Sequence, residues 1–176
     1  MKYFCIKQHD ITDCGAACIA TISKQYGLKI PIAQIREVAG TDKHGTNAYG
    51  IIKAAETLGF SAKGMKGDKD SFFSSFPLPC VAHVSVGNGL LHYVVIHKIT
   101  KKYVWIADPA IGLIKVTVSD FFGETNNNLP VREGESPKYI WSGVLILIVP
   151  SVTFEKGDKT TRACSHYLIA IKMNAN

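Results

Sequence analysis

No long apolar run is present in this sequence. The most hydrophobic stretch, Val144 to Val149, is six residues, far short of the roughly 18 that a bilayer-spanning helix needs. It reads as a buried strand, and the chain as given reads as soluble. A secretory signal is also lacking, because Met1-Lys2-Tyr3-Phe4 leads straight into polar chain. The five cysteines, Cys5, Cys14, Cys18, Cys80 and Cys164, are odd in number and irregularly spaced. That argues against a disulfide framework and for free thiols in a reducing compartment. There is no CxxC pair and no HExxH helix, so His83, His92, His97, Cys80 and Asp108 lack the spacing of metal ligands. His92 and His97 would also point to opposite faces of one strand. No internal repeat, low-complexity segment or nucleic-acid motif occurs, so nucleic acid is not the expected partner despite a net charge of +6.

What is present suits one globular domain. Hydrophobic residues make up 47% of 176 and charged residues 19%, enough to bury a core and too apolar for disorder. The lysines are scattered, as on a solvated basic surface. Their sum would attract an acidic peptide or an anionic membrane surface. Periodicity predicts a helix from Cys14 to Tyr26, with Cys18, Ile19, Ile22 and Tyr26 on one face, Asp13 as its N-cap and Gly27 closing it. Two further helices are predicted, from Pro31 to near Gly40 and from about Thr46 to Leu58. The second half reads as strands: Pro79 to Val86, Leu91 to Ile99, Tyr103 to Ala107, Leu113 to Val118 and Val144 to Val149, with a helical turn at Ser119 to Phe122. Helices first and an antiparallel sheet second is an α+β order. Gly123 to Lys138 reads as a surface loop, and Glu155 to Lys159 as a linker. The expected boundary leaves a folded unit at 1–150 and a linker or added tail at 151–176.

Four residues form the candidate site. Cys14 begins a predicted helix, where unpaired N–H groups and the helix dipole favour an anion. The small Gly15 beside it leaves the sulfur uncrowded. A lone cysteine is as often a buried structural thiol, and Cys18, one turn on, is expected to be one. His92 opens a strand, and Asp108 ends the next one before Pro109. If Thr100-Lys101-Lys102 is a three-residue loop, Ile99 pairs with Tyr103, His92 falls opposite Ala110, and Asp108 becomes its diagonal neighbour on the same face. A two-residue loop would turn Asp108 to the other face. An acceptor there would hold the imidazole in the tautomer that takes a thiol proton. Gln8, six residues before Cys14, carries an amide that could donate to an oxyanion.

The stretch from Gln8 to Cys18, Gln-His-Asp-Ile-Thr-Asp-Cys-Gly-Ala-Ala-Cys, resembles the N-terminal signature of the bacteriocin-processing peptidases of family C39. His92-Tyr93-Val94-Val95-Ile96 and Asp108-Pro109 resemble that family's histidine and aspartate motifs, in the same order. The likeness runs from about Met1 to Pro150. It implies a papain-like fold, a helical subdomain packed against an antiparallel sheet, with Cys14 as nucleophile, His92 as base, Asp108 as its orienter and Gln8 as oxyanion donor. It implies no metal or other cofactor. The implied substrates are bacteriocin or lanthipeptide precursors whose leaders end in Gly-Gly, Gly-Ala or Gly-Ser and are cut directly after that pair. The implied partners are the transmembrane and ATP-binding domains of an ABC transporter at the cytoplasmic side of a bacterial membrane. Those domains are absent from the sequence, which therefore reads as one domain of a longer protein, and residues from about Thr160 carry no assigned function. Two other readings share these residues: a leader-binding module without catalysis, and another papain-like enzyme such as a transglutaminase or acyltransferase.

Overall fold

A computed structural model describes residues 2–87, 89–124 and 139–160. In chain order the elements are α1 (Cys14–Gln25), β1 (Leu28–Lys29), α2 (Ile32–Ala39), α3 (Ala48–Thr57), β2 (Phe60–Lys66), β3 (Cys80–Val86), β4 (Leu90–Ile99), β5 (Tyr103–Asp108), β6 (Gly112–Thr117), α4 (Val118–Phe121), β7 (Tyr139–Pro150) and β8 (Gly157–Asp158). Six strands form one antiparallel sheet in the order β2-β7-β3-β4-β5-β6. The fold is α+β, as the element order implied. The loop predicted over Gly123 to Lys138 falls mostly on 125–138, outside the described residues.

The sheet separates two cores. On one face α1, α2 and α3 pack over Val81, Val95, Ala107, Ile146 and Ile148. On the other, Phe72, Phe121, Tyr139 and Trp141 cover Ala82, Val94, Ile96 and Ile106. Alternation along each strand feeds both faces, as it must in a sheet buried on both sides. The sequence showed α1 with one apolar stripe, but every residue from Cys14 to Ser23 is buried. Its small residues let the sheet and the other helices approach it from several sides, which a helix apolar nearly all round requires. Gly15 has the same purpose. A Cβ there would lie 2.9 Å from Thr46 Cβ, so this glycine serves helix packing rather than an open approach to the sulfur.

The helix ends follow local chemistry. Asn47 caps α3 by accepting from the Gly50 N–H at 2.8 Å, and Gly40 ends α2 in the left-handed conformation (φ 64°). Three strands were not read from the sequence. β2 is a mostly exposed edge strand interrupted by Lys63 and Gly64, so its pattern is weak. The other two, β1 and β8, are two-residue strands paired in parallel. The segment that reads as a linker is therefore anchored. Phe154 packs against Phe60 with ring centroids 4.5 Å apart, and Lys29 pairs with Asp158 at 3.1 Å.

Phe154→Ala should lower unfolding free energy by about 1–2 kcal/mol, the worth of a half-buried ring, read from urea denaturation. An unchanged midpoint would show that 151–160 adds nothing to the fold.

Candidate active site

Cys14 is the first residue of α1 and is 8% exposed. The chain reaches it through a 3-10 turn, Ile11–Asp13, capped by Asp10. Asp13 occupies the N-cap position, but its side chain does not cap α1. Its backbone is already helical (φ −88°, ψ −5°), so the carboxylate turns back. There it accepts the N–H of Asp10 at 3.1 Å and of His9 at 3.3 Å and pairs with Arg36 of α2. The Gln8–Cys14 segment is thus closed by a buried carboxylate, and α1 starts without a side-chain cap over its first amides.

His92 is 6% and Asp108 2% exposed. His92 Nε2 lies 2.9 Å from Asp108 Oδ1. The β4–β5 register beside the site is the one drawn from the sequence, but the turn end of the pair differs. Ile99 pairs with Val104, not Tyr103, because Thr100 hydrogen-bonds Tyr103 through both its N–H and its hydroxyl and widens the turn. Left uncorrected, this one-residue offset would put Asp108 on the wrong face. A bulge between Ile96 and Lys98 restores the count, giving Ile96↔Ile106 and Val95↔Ala107. Continued to the strand end, that register returns Asp108 to the face of His92. The bulged residue, His97, is held by the Phe4 carbonyl at 2.8 Å and stacks on Tyr3.

Asp108 accepts two further bonds, from the Ala110 N–H to Oδ1 at 2.8 Å and from the Tyr139 hydroxyl to Oδ2 at 2.6 Å. Burial works against its ionised form, but the hydrogen bonds from His92, Tyr139 and Ala110 and the charge of His92 hold it below the usual carboxylate range. For His92, burial opposes the cation. The hydrogen bond and charge of Asp108, with a further contribution from the neighbouring Cys14, outweigh it and push the imidazole up to about 9. With Nε2 engaged by Asp108, Nδ1 is the nitrogen left for Cys14. The imidazole therefore bonds the carboxylate and neighbours Cys14, and the upward shift favours its protonated form.

Gln8 is held from its backbone, its N–H donating to Pro109 O at 3.0 Å. Its Oε1 is buried with no hydrogen-bond partner. Among the described residues no hydrogen bond joins Gln8 to Cys14. The structure brings Cys14, His92 and Asp108 together and ties Gln8 to the Asp108–Pro109 corner. Cys5 lies at the same corner, its thiol 3.4 Å from the Asp108 carbonyl. Two residues escaped the sequence reading. Arg36 carries no local signal. Tyr139 carries one: Tyr139, Ile140 and Trp141 alternate buried, exposed, buried, a strand pattern hidden by the polar stretch before it. Among the described residues no three His, Cys, Asp or Glu side chains are placed to share a metal ion. No helix among them is long and apolar enough to cross a membrane.

A cysteine at a helix start, a histidine from the sheet and an aspartate behind it define the papain-like class of site. The profile of the peptidase C39 family matches residues 2–129. The chain belongs to that family and is a C39 peptidase domain. It is 41% identical over 172 residues to the lactococcin-G-processing and transport ATP-binding protein LagD of Lactococcus lactis, covering 97% of this chain and 22% of that protein. It is 35% identical over 149 residues to the transport/processing ATP-binding protein ComA of Streptococcus pneumoniae, covering 84% of this chain and 19% of that one. The chain thus spans about a fifth of the length of these relatives. Among solved structures, the peptidase domain of a Streptococcus ComA superposes with a TM-score of 0.72 at 30% identity, over 85% of this chain and all of that one. A double glycine motif protease from an AMS/PCAT transporter, in complex with its leader peptide, superposes at 0.70 with 27% identity, over 85% and 93% of the two chains.

Arg36→Ala leaves the Asp13 carboxylate buried without its cation. It should lower stability by roughly 1–3 kcal/mol, measured by chemical denaturation. Adding Asp13→Asn should recover part of that loss, because the pair is coupled; simple additivity of the two changes would deny the coupling.

Proposed function

We propose that this domain is a cysteine endopeptidase that removes N-terminal leaders after a Gly-Gly, Gly-Ala or Gly-Ser pair from bacteriocin or lanthipeptide precursors, as one part of an ABC transporter that exports the mature peptide. The observation that carries this reading is the His92–Asp108 hydrogen bond beside Cys14 in a C39 domain. The leader peptide bound to the AMS/PCAT protease supports the substrate class.

The cycle follows from the geometry. The imidazolium and the start of α1 attract the sulfur anion. Cys14 Sγ attacks the carbonyl carbon of the second small residue, and the carbonyl π electrons move to oxygen. The Gln8 amide and the Cys14 N–H are the assigned donors to that oxyanion. The tetrahedral intermediate collapses, the C–N bond breaks, and His92 gives its proton to the leaving amine. Neutral His92 then takes a proton from water, whose oxygen attacks the thioester. The leader leaves as a carboxylic acid, and the thiolate–imidazolium pair is restored. Asp108 stays ionised throughout and holds the ring.

Cys14→Ala should abolish leader removal from a double-glycine precursor, followed by mass spectrometry; a variant that still cleaves would refute the nucleophile. Gln8→Ala should lower kcat about 100-fold or more. If the wild-type chain binds the precursor tightly but never cuts it, the domain is a leader-binding module instead.

Protonated His92 is the acid for the leaving group, so kcat/KM should fall as pH rises through about 9. Asp108→Asn keeps an acceptor oxygen but removes the charge that raises His92, while burial still lowers it, so this alkaline limb should move toward lower pH. An alkaline limb that stays in place in the variant would sever Asp108 from the mechanism.

A further inference from the structure

We infer that Tyr139 is a positioning residue of this site, acting through Asp108 on the proton affinity of His92. The inference rests on the peptidase reading above and adds a fourth side chain to it.

Tyr139 is fully buried, and its hydroxyl donates to Asp108 Oδ2 at 2.6 Å. A buried phenol needs an acceptor, and this one is the carboxylate behind the catalytic histidine. The division of labour between the two oxygens is clear. Oδ1 accepts from His92 Nε2 and from the Ala110 N–H, and Oδ2 accepts from Tyr139. The terminal torsion of an aspartate is soft and nearly two-fold, so bonds at one oxygen alone leave the carboxylate free to swing. The Tyr139 bond pins the other oxygen and so points Oδ1 at the imidazole.

Tyr139 itself is held rigidly. Its backbone pairs with Val86 at the end of β3, and its ring lies 6.3 Å from that of Phe121 in the second core. Burial and the Asp108 charge push its phenol well above the ordinary range, so it remains a neutral donor. A neutral donor stabilises ionised Asp108 without cancelling its charge, unlike an arginine or lysine at the same place. The full negative charge therefore stays available to His92. Other titratable groups around the pair are Cys14 and Cys18 of α1 and Cys5 of the N-terminal strap, with Lys7 beside Cys5. Tyr93 of β4 also senses Cys14 and Cys18. The second carboxylate oxygen accepts its side-chain hydrogen bond from Tyr139 rather than from any of these groups.

The test is Tyr139→Phe, which keeps the ring and removes only the hydroxyl. His92 is titrated by long-range proton–nitrogen NMR of its ring, which requires no turnover, and the pH profile of leader cleavage is measured beside it. The His92 midpoint should fall from about 9 by about one pH unit. The alkaline limb of kcat/KM should shift with it, and kcat should drop about tenfold with KM unchanged. Phe121→Leu, which disturbs the neighbouring ring, should lower the melting temperature and leave the His92 midpoint in place. A Tyr139→Phe protein with lower stability but an unmoved His92 midpoint would reduce Tyr139 to a structural residue, as would a variant that fails to fold. Wild-type protein that shows the His92 midpoint but cleaves no precursor would refute the peptidase reading and leave the role of Tyr139 at His92 standing.

Discussion

The bond from His92 Nε2 to Asp108 Oδ1 is the constraint on which the rest of the site depends. It decides which imidazole nitrogen faces Cys14, and it decides how much charge the ring carries. It exists only if two neighbouring strands are in one register, because a slip of one residue sends Asp108 through the sheet to the opposite face. The widened Thr100–Tyr103 turn introduces such a slip, and the bulge at His97 removes it. That bulge is held by the N-terminal strap, where Phe4 bonds His97 and Tyr3 stacks on it. The same strap continues to Gln8, tied to Pro109. Turn, bulge, strap and triad thus form one connected arrangement.

Two ion pairs with buried carboxylates stand near Cys14, and they act differently. Asp108 and His92 lie in line with the chemistry, and each shifts the other's proton affinity. Asp13 and Arg36 lie behind the loop that carries Gln8 and leads into Cys14. Burying such pairs carries a desolvation penalty comparable to their attraction, so they are weak evidence for net stability. Their effect is on geometry. One orients a base, and the other closes the turn from which the nucleophile's helix starts. The N–H groups of His9 and Asp10 satisfy lone pairs of Asp13 that Arg36 leaves, which a buried carboxylate requires.

The main helices and the central strands were legible because their signals are local. Ile32, Ile35 and Ala39 repeat with helical spacing and end at Gly40, and β3, β4 and β5 are rich in β-branched residues. β2 was not legible. It is an edge strand with lysines and a glycine, and it becomes a strand only because β7 offers seven rungs to pair with. The charged residues after Phe154 give that segment the composition of a linker, and the Phe154 ring, the β1–β8 pairing and the Lys29–Asp158 pair tie it to the fold. Asp13 looked like a helix cap by residue type. Its partner Arg36, 23 residues away, reverses that role.

By itself the sequence determined the chemistry available: a cysteine opening a helix, a histidine opening a strand, an aspartate closing the next, and a glutamine ahead of them, in an order shared with the C39 peptidases. Residue type and short spacing carry that information, because helix starts and strand ends are set by neighbours within a few positions. Tertiary structure alone decided that Asp108 faces His92, that Tyr139 holds the second carboxylate oxygen, and that Arg36 closes the loop before Cys14. Those contacts join residues 16, 31 and 23 positions apart. Their geometry follows from sheet register and helix packing, which are cooperative properties of the whole core.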